Sequence, residues 1–121
     1  TCNQIQFCCC NWINKIELYD LIVSNPPYLS KNEYNYTDKE IKIYEPKTAF
    51  LAGKDGLKCF KELAKILQKI THKNSLCIIE IGHTQKNECI NIFREFGMDY
   101  IDIITDYQNY ERILVLKKYS N

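Results

Sequence analysis

Glycine is scarce in this chain. Of 121 residues only Gly53, Gly56, Gly82 and Gly97 are glycine, and no two of them form a Gly-x-Gly pair. A glycine-rich loop that cradles a phosphate or dinucleotide is therefore excluded from this stretch. Proline is limited to Pro26, Pro27 and Pro46, and no low-complexity tract is present. An excess of one charge is also lacking: 16 Lys and Arg against 15 Asp and Glu leave a net charge of +1. Composition thus gives no electrostatic reason to expect nucleic acid or a membrane surface as a partner. No apolar run approaches a membrane span, and no basic region precedes one at the start. A soluble cytoplasmic protein is the simplest expectation. Seven cysteines occur without any Cys-x-x-Cys pair, and neither His72 nor His83 stands at ligand spacing. Cys8, Cys9 and Cys10 would alternate between faces of a strand. They read as small apolar residues in a reducing compartment, with no metal expected.

What is present is a patterned chain, long enough for one core but not two. Ile5 to Cys10 is a short apolar run consistent with a buried strand. Asn11 to Asn14 reads as loop, and Tyr19 to Ser24 as a second strand, stopped by Pro26 and Pro27. Residues 30 to 56 form a polar segment with Tyr34, Tyr36 and Tyr44, ending in the turn signal Asp55-Gly56. Leu57, Phe60, Leu63, Ala64, Leu67 and Ile70 follow at helical spacing, with lysines opposite. Leu76 to Ile81 is an apolar strand. Asn87 to Phe96 returns to helical spacing, with Gly97 as its stop. Tyr100 to Thr105 and Ile113 to Leu116 close the chain as two strands that should pair antiparallel. Strands alternating with helices predict an α/β fold, a mostly parallel sheet with a final antiparallel strand. Without an initiator Met, and with Thr1 to Gln4 leading straight into a strand-like run, the chain is expected to be a fragment.

The most informative residues are Asn25-Pro26-Pro27-Tyr28, launched from the carboxyl end of the second strand. An Asn amide both donates and accepts hydrogen bonds, so it can hold a planar amide or amine. The prolines keep the backbone still and leave neighbouring carbonyls free. Such a rigid polar cup suits chemistry at a poorly nucleophilic nitrogen.

The motif resembles the NPPY signature of enzymes that methylate amide or exocyclic amine nitrogens. The whole layout resembles the release factor glutamine methyltransferases of the HemK/PrmC type, the C-terminal part of a class I, Rossmann-like methyltransferase domain. The resemblance rests on Asn11-Trp12 and on Asp20 through Tyr28. It continues through Tyr44 to Phe50, Asp55-Gly56-Leu57, Glu80-Ile81-Gly82 with Gln85, and Glu111-Arg112. It implies S-adenosyl-L-methionine as cofactor and, as substrate and partner, the glutamine in the Gly-Gly-Gln loop of peptide chain release factors. It assigns Asn25, Pro26, Pro27 and Tyr28 to catalysis and substrate binding. Asn25 would hold the acceptor amide, carbonyls of the Pro26-Pro27 segment would accept its N–H bonds, and Tyr28 would pack on its plane. Trp12 would lie beside the adenine, and Asn25 would also approach the methionine end of the cofactor.

The same resemblance implies a strand order of 3-2-1-4-5-7-6, with Ile5–Cys10 matching strand 3. Strands 1 and 2, the cofactor glycine loop and the family's N-terminal helical domain are missing. Residues 1–121 would then be a partial catalytic domain, inactive in isolation, with the strand bearing Asn25 as an exposed edge. The alternatives are a DNA or RNA amino-methyltransferase fragment, against which the near-neutral charge weighs, and a non-catalytic truncated gene product.

Overall fold

The computed structural model describes residues 4–26 and 56–119. Pro27, Tyr28, the polar segment through residue 55 with Tyr34, Tyr36, Tyr44 and Glu45-Pro46, and both extreme termini lie outside the described residues. The described elements are β1 (Tyr19–Ser24), α1 (Lys58–Ile70), β2 (Thr71–Glu80), α2 (Lys86–Glu95), β3 (Met98–Thr105) and β4 (Glu111–Lys118).

The strands form one sheet in the order β1-β2-β4-β3. β1 pairs parallel with β2, and β4 runs antiparallel to both β2 and β3. Three strands therefore share a direction and the last, inserted between β2 and β3, opposes them. The arrangement is the α/β, Rossmann-like one expected. A parallel pair needs a crossover, and α1 supplies it. The helix ends where β2 begins, with no loop: the Thr71 N–H and hydroxyl both donate to the Leu67 carbonyl, the hydroxyl at 2.6 Å. At the other joint, Gly97 takes φ +84 after α2, a conformation an L side chain rarely adopts. The chain then enters β3 directly.

One face of the sheet carries the core. Cys77, Ile79, Leu114 and Leu116 are fully covered by α1 and α2 and join Phe60, Leu63, Leu67, Ile92 and Phe93 in a single cluster. Phe60 and Phe93 meet edge to face, with ring centroids 6.3 Å apart. Side chains alternate along a strand, so the intervening residues point to the opposite face. There Leu21, Val23 and Ile104 are exposed.

Residues 5–10 do not form the strand that their apolar run predicts. They are exposed coil, with Phe7 at 95% exposure, and Cys8, Cys9 and Cys10 are exposed thiols. The reason is pairing: among the described residues β1 bonds only to β2, and residues 5–10 have no strand beside them. An isolated strand leaves its amides and carbonyls to water and gains nothing from its apolar side chains.

Candidate functional site

Because β1 and β2 run parallel, their carboxyl ends lie on the same rim, with Ser24 paired to Ile79. Ligands of open α/β sheets sit at this rim. Asn25 and Pro26 follow Ser24 directly at this rim. Asn25 is exposed and Pro26 is buried, so the proline is anchored while the carboxamide residue stands at the surface. Pro27 and Tyr28 lie outside the described residues. Of the expected cup, the structure thus places its first half.

A cavity of about 330 Å³ runs along β1, between that strand and α1. Tyr19 and Ile70 line it at one end and Ser24, the residue before Asn25, at the other, with Trp12 as its aromatic wall. Trp12 is half-buried against the core. Its indole N–H donates to the Glu62 carboxylate on α1 at 3.2 Å, across fifty positions of sequence. Its backbone holds φ 71, uncommon for a bulky residue. Such a conformation costs about 1–3 kcal/mol and persists where surrounding contacts over-determine it. A hydrogen bond to a carboxylate, worth about 1.5–3 kcal/mol before discounting for solvent, offsets that strain. Trp12 and Ser24, the last residue of β1, therefore line one cavity, and Asn25 follows directly after it in the chain.

The rim is braced by a residue whose role the sequence did not reveal. Gln85 is 6% exposed. Its side-chain oxygen accepts from the Gly82 N–H at 3.0 Å and its nitrogen donates to the Gly56 carbonyl at 3.2 Å. The entrance to α1 is thereby clamped to the exit of β2. Gly56 at φ +75 makes that approach possible. The residue at the start of α2 is Gln85, and its side chain makes no capping bond there.

Farther along the rim, His83 is not solitary: its ring lies 4.8 Å from that of Tyr110. Glu111 and Arg112 open β4 with separate partners, Lys86 at 3.1 Å and Asp106 at 3.1 Å. The Glu111 hydrogen bond raises the Lys86 ammonium above its usual value. For Asp106, burial pushes the carboxyl upward, but bonds from the Tyr110 and Gln108 amides and from Arg112 outweigh it and hold it below its usual value. Burial pushes the Cys77 thiol up to about 11 and Cys89 to about 12, so both remain inert apolar groups. Among the described residues no group of three or more His, Cys, Asp or Glu is placed to hold a metal, and no helix is long and apolar enough to cross a membrane.

The residues missed by sequence reasoning are Glu62 and Gln85. Glu62 had one legible signal: it is the sole acid in the lysine-rich α1. Gln85 was noted only as part of a resemblance, because the bonds its side chain makes to Gly82 and Gly56 are to backbone groups.

No protein-family model matches the chain. It is 37% identical over 100 residues to a release factor glutamine methyltransferase of Fusobacterium nucleatum, covering 83% of this chain and 28% of that protein. A bifunctional methyltransferase of Rickettsia typhi is 35% identical over 114 residues, 93% of this chain and 22% of its own length. A release factor glutamine methyltransferase of Buchnera aphidicola is 32% identical over 108 residues, 88% of this chain and 39% of its own length. The chain thus spans less than half the length of these relatives. In the stretch that it spans, the chain is a methyltransferase relative of the HemK/PrmC type.

Proposed function

We propose that residues 1–121 are the acceptor-side part of a methyltransferase catalytic domain that methylates the side-chain nitrogen of a glutamine, in the Gly-Gly-Gln loop of peptide chain release factors, with S-adenosyl-L-methionine as donor. The observation that carries this reading is the placement of Asn25 and Pro26 at the carboxyl rim, next to the end of a cavity walled by Trp12. The names of the relatives support the choice of a protein glutamine as substrate.

The cavity fits one end of the donor. An aromatic wall and aliphatic sides suit the faces of an adenine ring, and the volume lies within the range of small-molecule sites, about 300–1,000 Å³. No charged residue lines it, so from the described residues only the adenine end is accounted for. When bound, the cofactor supplies a sulfonium-borne methyl group as the electrophile.

The chain's own contribution is at the nitrogen. An amide nitrogen is a weak nucleophile because its lone pair is delocalised into the carbonyl. Asn25 holds the amide, and carbonyls of the Pro26-Pro27 segment accept its N–H bonds, so electron density returns to nitrogen and the lone pair is aimed. Orientation of this kind lowers a barrier by about 7 kcal/mol at the low end of its range, and preorganised dipoles add to it. Tyr28 completes the cup by packing on the amide plane.

The test is a chimera in which this chain replaces the matched stretch of the Fusobacterium nucleatum relative. Incubated with labelled donor, it is expected to methylate a Gly-Gly-Gln peptide and to leave DNA and RNA oligonucleotides unlabelled. Label on an adenine or cytosine amine, with none on the peptide, would reject the glutamine reading in favour of a nucleic-acid amino-methyltransferase.

A further inference from the structure

We infer that Glu62 is a positioning residue for a planar-base site: its carboxylate fixes the Trp12 indole so that an adenine-like ring can stack within the β1–α1 cavity. The inference rests on the cofactor reading above and extends it to a residue on a different element.

Three observations converge on it. Trp12 lines the cavity, while its N–H donates to Glu62 outside the lining. An indole has one donor and no acceptor, so that single bond defines how its edge is held. A carboxylate partner makes the bond charge-assisted, roughly twice as strong as a neutral one. Trp12 also holds φ 71 in a short segment without regular structure, from Asn11 to Ile13, closed by a backbone bond of 2.9 Å from the Ile13 N–H to the Asn11 carbonyl. Such a segment has little of its own to keep a ring in place. α1 is well anchored by five buried residues. The bond to Glu62 therefore transfers the rigidity of α1 to the indole. Preorganising an aromatic wall spares the ordering that a ligand would otherwise have to impose. The occupant is a purine, because the cavity offers an aromatic face and aliphatic sides and, among the described residues, no charged group lines it.

Trp12 is the only tryptophan, so intrinsic fluorescence reads this site alone. The experiment titrates adenosine into the chain itself and into Glu62→Ala and Glu62→Gln, with circular dichroism and urea midpoints as folding controls. Wild type should be quenched by adenosine. Glu62→Ala should show red-shifted emission and lower anisotropy before any ligand is added, and about tenfold weaker adenosine binding. Glu62→Gln keeps an acceptor and should restore affinity to within about threefold of wild type. If Glu62→Ala proves unfolded, Glu62→Met, with no acceptor, replaces it in the comparison with Gln. Quenching that survives loss of the acceptor undiminished overturns the positioning role while leaving the cofactor reading intact. No quenching in wild type overturns the base site, even if the ligand-free emission shifts, while the cofactor reading stands or falls on methyl transfer by the chimera.

Discussion

On the helix-covered face of the sheet, Ile79 and Leu114 are fully buried, and their neighbours form one continuous core. On the opposite face, Leu21 is 57% exposed and Val23 69%, although both sit on a paired strand. The difference lies in the partner elements. The apolar character of the strands is similar on the two faces, but among the described residues only one of them has helices laid against it. Among the described residues, the buried packing is therefore concentrated in β2, β3, β4, α1 and α2. The candidate site lies on the border, along β1, where α1 covers one side and the outer edge has no strand beside it among the described residues. A rim of that kind can present a ligand-binding turn, because its foundation is fixed by β2 while its outer groups remain accessible.

The comparison breaks most readily at Phe93. Phe93→Ala removes a fully buried ring packed against Phe60 and is expected to destabilise the fold by about 3–5 kcal/mol. Phe7→Ala, the same change at a residue 95% exposed in the N-terminal coil, should stay within about 0.5 kcal/mol. Urea unfolding followed by circular dichroism measures both. Equal losses would mean that the coil packs after all and that the division between faces is false.

A smaller effect sharpens the same contrast at the β3–β4 turn, on the well-ordered side. Asp106 accepts from the Gln108 and Tyr110 amides and from Arg112, and its folded value lies below the ordinary 3.8. A depressed carboxyl contributes stability above its unfolded value and loses it as pH falls through the folded one. Wild type should therefore weaken more than Asp106→Asn between about pH 4 and the lower, folded value. Parallel acid limbs in urea midpoints measured across that window would show that the turn is not held by the ionised group.

Much of the scaffold was legible because its signals are local. Tyr19–Ser24 is bounded by the proline pair, and the apolar spacing from Leu57 to Ile70 can serve only a helix with one buried face. The antiparallel closing pair followed from its short connection. The beginning of β2 was not legible. Thr71 to Ser75 carry no strand pattern, and they extend the strand because α1 delivers them directly to the sheet, where Thr71 pairs with Tyr19. Residues 5–10 show the converse: an apolar run forms no strand when nothing stands beside it. At the candidate site, Asn25 and Trp12 could be proposed from motif and resemblance, and the structure describes both residues. The bonds Trp12 to Glu62 and Gln85 to Gly56 could not, since each joins positions far apart in sequence. His83 meets Tyr110 in the same way, through the approach of two turns.

The proposed role of Asn25, which follows β1, is to hold an acceptor nitrogen. It is tested most directly by single-turnover methylation of a Gly-Gly-Gln peptide with the chimera, comparing wild type with Asn25→Ala at matched donor occupancy. The account predicts a fall in rate of at least about 100-fold with donor affinity largely retained. Transfer by Asn25→Ala at near the wild-type rate would contradict it.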